Sequence, residues 1–470
     1  MPARPRAALV LPYWDFWERS VPYALRAERE ALLEHARVAL ADVIELEVCA
    51  VIASREDGEA LARALQTAGS EVLIVLQTMA VPPAFASAAL DALPLLPVVV
   101  WTVHRHARVA ADFSHDDITT EGATVGAPML TNVLVRRARP FALVAGRLDD
   151  PAAQARVALA ARAGAVAGRL RRARVGRVGR PIDGYDCVDA DPARLRAATG
   201  IELVAIEPSE VRDRYLSVEQ ARVDELERET RATFTIEASA EGETLARSLR
   251  AACAIEDLVR DHRLDAGAMN CHVPEIRLGP EVGIAPCFGL GRSTSAGIPW
   301  SCAGDVVTAI AMLTTRGLGG AALYHELESL DYETGELVVA NSGEHDLAFC
   351  DPAERPSLRQ NDWYLGDPVV GVCACFGAPA GPASLVAFTE LDAPVPGYRF
   401  IVAEGEFTRT RWPATGTPHA AFRFRHEPAP QAWERWARAG ANHHSSATPG
   451  ELGEAVEQLA AFLGVEVLRV

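Results

Sequence analysis

The 470 residues exceed what one hydrophobic core serves, since domains run to roughly 100–200 residues, so two or three domains are expected. Apolar residues make up 49% and aromatic ones 6%, a globular composition that excludes a long disordered region. The formal net charge of -17 repels phosphate backbones and anionic lipid, so no nucleic acid and no membrane is expected as a partner, and a neutral or cationic small molecule or a metal ion suits it better. The nine cysteines are odd in number and scattered through apolar stretches, which implies free thiols. The opening MPARPRAALVLPYWDFW holds a short apolar run broken by Pro12, too short for a signal peptide or a membrane span. A cytoplasmic protein is therefore expected.

From Ala7 onward, short apolar runs alternate with stretches of helical periodicity, the pattern of βαβ units on a parallel sheet. The runs at 7–11, 44–52, 71–77 and 97–103 predict a doubly wound α/β domain over residues 1–140. A second series starts at Phe141 (FALVAG), continues through a helix over about 151–174, and reaches a strand at 201–207. Helices over 210–233 and 241–262, a strand-like run at 264–272 and a helix over 304–316 complete a central α/β domain, 141–318. Between them RVGRVGRPIDGY has spaced glycines but lacks the Gly-x-Gly-x-x-Gly spacing of a nucleotide site, and it reads as a glycine-rich turn between strand and helix. Beyond Gly320 the period becomes two, in ELVVANSG, ASLVAFTEL, YRFIVAEGEF and AAFRFRH, which predicts a β-rich, barrel-like domain over 319–470, closed by a helix at 451–463 and a strand VEVLRV. The expected fold class is α/β: two doubly wound, Rossmann-like domains and then a β-rich C-terminal domain.

The chemistry-bearing residues concentrate late in the chain. Residues 297–345, GIPWSCAGDVVTAIAMLTTRGLGGAALYHELESLDYETGELVVANSGEH, taken with WERWARAGANHHSSAT, resemble the metal-site segments of the L-fucose and L-arabinose isomerase superfamily. The domain order matches as well, so the resemblance covers nearly the whole chain. Its most specific parts are Gly304-Asp305 before a helix and the His443-His444 pair.

The resemblance implies an aldose–ketose isomerase that moves a proton between C1 and C2 through an enediol, with a divalent ion, Mn²⁺, holding two sugar oxygens. It implies a homo-oligomer, trimer or hexamer, with sites shared between chains. Carried over residue by residue, its second acidic ligand falls on Glu326 and its C-terminal histidine ligand on His444. The family's first glutamate, both ligand and acid/base, falls on Ala303, and its other histidine falls at or next to Asn341 and Ser342; neither is a strong ligand. Asp305, Glu328, Glu344, His345, Cys302 and His272 lie where they can replace the missing groups, and Asp305 joins Glu326 as a catalytic candidate. Tyr13 and Trp14, beside the carboxyl end of the first strand, Glu121 in a loop matching a substrate-side loop of the family, Asn341 and His443 are the substrate-binding candidates.

Plainer roles exist for most of these. Asp305 fits a helix N-cap, Glu328, Glu344 and His345 fit solvated turns, and Cys302 fits a small core residue. Glu326 sits among apolar neighbours, where a carboxylate needs a partner. Ala303, and Asn341 with Ser342, at two ligand positions also favour two other functions: a non-catalytic sugar-binding or regulatory paralogue, or the same fold turned to different chemistry, such as a carbon-carbon lyase or a metal-independent epimerase.

Overall fold

The computed structural model describes residues 3–364 and 370–470, in two compact units, one built from 3–169 with 457–464 and the other from 170–456 with 465–470.

The first unit is built on a parallel sheet of β1 (Arg6–Pro12), β2 (Glu45–Ile52), β3 (Val72–Gln77), β4 (Val98–Thr102) and β5 (Phe141–Ala145), in the order β2-β1-β3-β4-β5. β3 and β4 are buried along their whole length, the continuous apolar reading of strands covered on both faces. The helices carry their own boundaries: Arg55–Ala68 starts at Ser54, whose side chain accepts from the Asp57 N–H, and stops at Gly69 in the left-handed region, φ 69°. Phe141–Ala145, the run that opens the second series in sequence, hydrogen-bonds to β4 and forms the edge of this first sheet.

The second unit holds two sheets. β6 (Arg174–Val178), β7 (Glu202–Ile206), β9 (Ala266–Met269) and β10 (Trp300–Ser301) make a parallel sheet in the order β10-β9-β6-β7, while β8 (Thr235–Ile236) joins the larger sheet. Two local expectations change here. RVGRV is the strand β6 and not a turn, because its arginines leave the sheet to pair with Glu202 and Asp189. The helix expected over 210–233 is two, Pro208–Ser217 and Gln220–Thr233, since Val218 and Glu219 take extended backbone and Arg250 donates to the Val218 carbonyl. Gly267 in β9 lies against the indole of Trp300, where a Cβ would come within 2.4 Å of the ring, so the buried tryptophan occupies the space that the missing side chain leaves.

The strand-rich part contains β11 (Leu323–Asp331), β12 (Glu336–Ala340), β13 (Ser357–Gln360), β14 (Val372–Gly377), β15 (Gly381–Leu391), β16 (Gly397–Phe407), β17 (Pro418–Phe424), β18 (His444–Pro449) and β19 (Glu466–Arg469). The order β16-β15-β18-β11-β12-β17 is antiparallel at every step, and β17 pairs back to β16, so six strands close into a barrel. Closure removes exposed strand edges. Phe407, Phe422, Leu385 and Ile401 are among its fully buried side chains, with Phe407 and Phe422 ring centroids 6.0 Å apart. The helix Val306–Gly319, buried on nearly every side, packs on β15 and β18 and brings its N-terminus to the start of β18. Among the described residues no helix is long and apolar enough to cross a membrane.

Candidate functional site

The barrel register sets the site. β11 and β18 are antiparallel neighbours, and the pairing puts Glu326 directly opposite His444, a spacing at which side chains on one face meet. Their atoms do meet: Glu326 Oε1 lies 3.2 Å from His444 Nε2. The other ring nitrogen, Nδ1, is 2.8 Å from Asp305 Oδ2. His444 is thus held at both nitrogens by carboxylates while nearly sealed from solvent. Burial by itself would lower its pKa; the hydrogen bonds to Asp305 and Glu326 win and raise it to about 9.

Asp305 is completely buried and serves as the N-cap of the helix Val306–Gly319. Its Oδ1 accepts from Thr308 N, and its Oδ2 accepts from Thr308 Oγ1, Asn442 Nδ2 and His444. With both oxygens engaged, this residue positions His444 and leaves no acceptor facing a substrate. Just before it, Ala303 has φ 56° and Gly304 φ 74°, a left-handed pair that turns the chain into the helix. The buried Ala303 methyl stands where the resemblance places a glutamate.

His443 completes a trio. Donor atoms of Glu326, His443 and His444 lie within 4.8 Å of one another, the one such group of three among the described residues. Two imidazoles and a carboxylate are a donor set that fits a divalent ion, and Asp305, bonded to Nδ1, would fix the tautomer that leaves Nε2 of His444 free to ligate. The His443 and His444 rings are 3.7 Å apart, Tyr324 packs on His444 at 4.8 Å, and Tyr185 meets His443 edge-on at 5.3 Å.

Glu328 joins them from a bulge. The β11–β12 register passes from Leu327 to Ser329 and skips Glu328, an irregularity of the kind that re-aims a side chain. Glu328 hydrogen-bonds to Glu326, and burial followed by the neighbouring charge pushes it up to about 7, while Glu326 is held low chiefly because His444 outweighs its own burial. Two carboxyls sharing one site divide their protons in this way.

The remaining sequence candidates fall elsewhere. The Asn341 amide is spent on backbone: its Nδ2 donates to the carbonyls of Tyr324 and Glu344 at 2.6 and 2.8 Å, and its Oδ1 accepts from Gly343 N, so it orders the loop after β12. Glu344 is buried, accepts from Ser342 Oγ at 3.1 Å, and is pushed up by burial. His272 Nδ1 accepts from Arg277 at 2.8 Å, and Cys302 is buried. Tyr13, Trp14 and Glu121 belong to the first unit. There Tyr13 is buried and donates to Glu18, Trp14 stacks on Phe16 at 4.6 Å, and Glu121 accepts from Arg105. Asn442, Tyr324 and the bulge at Glu328 escaped the sequence reading; the only written signals were Asn442 preceding the histidine pair and a second glutamate two places after the first.

His345 is a core residue packed at 5.7 and 5.6 Å from Phe234 and Phe288, and burial, reinforced by the charge of Arg292, lowers it to about 3. The unfolded chain, with an ordinary histidine near 6.5, therefore binds more protons between these values, and stability falls as pH falls. Linkage gives a loss of about 2 kcal/mol at pH 5 from this group. Urea unfolding of wild type and His345→Phe from pH 7 to pH 4.5 is expected to show a shallower decline in the variant; parallel profiles would refute the assignment.

No family model matches the sequence. Over 326 residues the chain is 27% identical to sulfoquinovose isomerase of Priestia aryabhattai, covering 68% of each chain, and it matches the Priestia megaterium protein of that name equally. It is 25% identical over 392 residues to L-arabinose isomerase of a Nocardioides species, covering 81% of this chain and 76% of that one. The chain's distant homologues are sugar isomerases.

Proposed function

We propose that the protein interconverts an aldose and its ketose, of the pentose or 6-deoxyhexose class, at a divalent metal site held by Glu326, His444 and His443, with Mn²⁺ as the ion. The observation that carries this reading is the convergence of these three donors with Glu328 beside them. A bound ion would supply Lewis-acid polarisation of the two sugar oxygens.

The chain's own residues have the following roles. Asp305 holds the His444 ring through Nδ1. The Glu326–Glu328 pair moves the proton: one carboxylate takes the hydrogen from C2 of the aldose and the pair returns a proton to C1, while a second proton passes from O2 to O1. Glu328, held near neutrality, stands in for the glutamate absent at Ala303. His443, at the exposed side, contacts the sugar as it enters. The proposal includes a cytoplasmic homo-oligomer, trimer or hexamer, with sites shared between chains.

One observation favours a second reading, sugar binding without catalysis: Ala303, and Asn341 with Ser342, stand where the resemblance expects two ligating groups. Metal analysis of the purified protein and an NMR screen of pentoses and 6-deoxyhexoses in D₂O, with Mn²⁺ added, separates the two. Ketose formation with deuterium entering at the transferred position supports isomerisation; sugar binding with neither metal nor exchange supports the second reading.

A further inference from the structure

A cavity of about 790 Å³ opens beside the Glu326–His443–His444 trio, within the range of roughly 300–1,000 Å³ usual for small-molecule sites. Cavity and trio share walls. Asn442, which lines the cavity, donates to Asp305 and accepts from the His443 N–H, and Cys187, also in the wall, has its Sγ 3.9 Å from His443 Nδ1. Asn442 and Cys187 thus bring this space within reach of the far end of a sugar whose reacting end meets the trio.

The walls carry an unusual charge balance. Five carboxylates, from Asp186, Asp189, Asp191, Glu390 and Asp392, face two guanidinium groups, leaving three negative charges in excess. Both arginines are already paired with carboxylates of the wall. Arg177 pairs with Asp189 at 2.7 Å and its Nε is shut off from solvent, while Arg194 spans Asp392 at 2.8 Å and Glu390 at 2.6 Å. Sugar hydroxyls donate well to carboxylates, and an ammonium group gains a charge-assisted bond, but a sulfonate or phosphate enters against the field.

Resting on the isomerase reading of the trio, we infer that the sugar taken here is neutral or amino-bearing, and that the cavity refuses sugars carrying a sulfonate, phosphate or carboxylate. This separates the protein from the relatives named for sulfoquinovose, a sugar with a sulfonate on C6.

Three probes that differ only at C6 test it: 6-deoxy-D-glucose, 6-amino-6-deoxy-D-glucose and sulfoquinovose. Calorimetric binding to the full-length protein with Mn²⁺, at low and at high salt, is expected to rank the amino sugar first or equal first. The sulfonate should bind about tenfold or more weakly than the deoxy sugar, and the gap should narrow as salt rises. Asp392→Asn and Asp186→Asn each remove one wall charge and should narrow the gap between the sulfonate and the deoxy sugar. Sulfonate binding as tight as that of the deoxy sugar, or no binding of any probe, overturns the inference. The expected ranking with no probe isomerised sinks the isomerase reading and leaves the cavity's preference standing; isomerisation of sulfoquinovose at a rate matching the deoxy sugar sinks the inference alone.

Discussion

Glu326→Gln is expected to cost both turnover and retained manganese. The substitution keeps the shape of the side chain and removes the charge that faces His444 Nε2 at 3.2 Å, so it tests chemistry with little change in packing. A positioned acid/base contributes roughly 10²–10⁴ in rate, and losing the carboxylate also strips one of three donors from the ion, so turnover should fall by at least that factor. His444→Ala should do the same with an added loss of stability, because it leaves the buried Asp305 without its cationic partner, a change that costs about 3–5 kcal/mol in comparable buried pairs. His443→Ala should be milder. Its ring is exposed, and water can take a solvent-facing ligand position with modest loss, whereas nothing replaces a buried ring clamped from behind. Metal content after dialysis, melting temperature and turnover, measured on all three variants, check the ranking. A Glu326→Gln protein that keeps its manganese and its rate removes the trio from the reaction.

How far the sequence speaks for itself depends on whether the signal is local. β3 and β4 are written as unbroken Val and Leu runs, and the barrel strands as period-two alternation, so both were legible. β6 was not, because RVGRV carries two arginines and a glycine whose justification lies in Glu202, Asp189 and the Leu264 side chain, 2.6 Å from where a Gly176 Cβ would stand. The sheet to which Phe141–Ala145 belongs is a pairing choice with β4, invisible in the strand itself. At the site, Glu326 and His444 were reached through their resemblance to a known family; residue periodicity alone gave only a carboxylate among apolar neighbours. Their facing across β11 and β18 depends on a register that the segments do not spell out. Glu326 and Glu328, two apart in one strand, share a face, but at an exposed position a second glutamate reads as solvated.

Asp305 offers the sharpest separation of scaffold from chemistry, because one carboxylate does both jobs through different oxygens. Oδ1 caps the helix at Thr308 N, and Oδ2 gathers Thr308 Oγ1, Asn442 Nδ2 and His444 Nδ1, each bond 2.8 Å long. Asn is as good an N-cap as Asp, so Asp305→Asn can keep the first job. It then presents an NH₂ group where Oδ2 stood, facing the Asn442 Nδ2 and His444 Nδ1 groups, which also donate. His444 escapes the clash by moving its proton to Nε2, which withdraws the lone pair that would ligate an ion. Loss of such an outer-shell partner costs roughly 10–100-fold in metal affinity, while the cost in stability should stay near 1–3 kcal/mol. Asp305→Ala loses the cap as well, about 1 kcal/mol more, and leaves His444 with a single carboxylate neighbour in a buried site. The expected pattern is therefore a variant, Asp305→Asn, that melts only slightly early yet binds Mn²⁺ weakly, and a second, Asp305→Ala, that is impaired in both. Free Mn²⁺ measured by electron paramagnetic resonance, set beside thermal melts, resolves the two effects. If Asp305→Asn binds the ion as wild type does, then His444 does not depend on this carboxylate for its orientation, and the helix cap is the whole of its role.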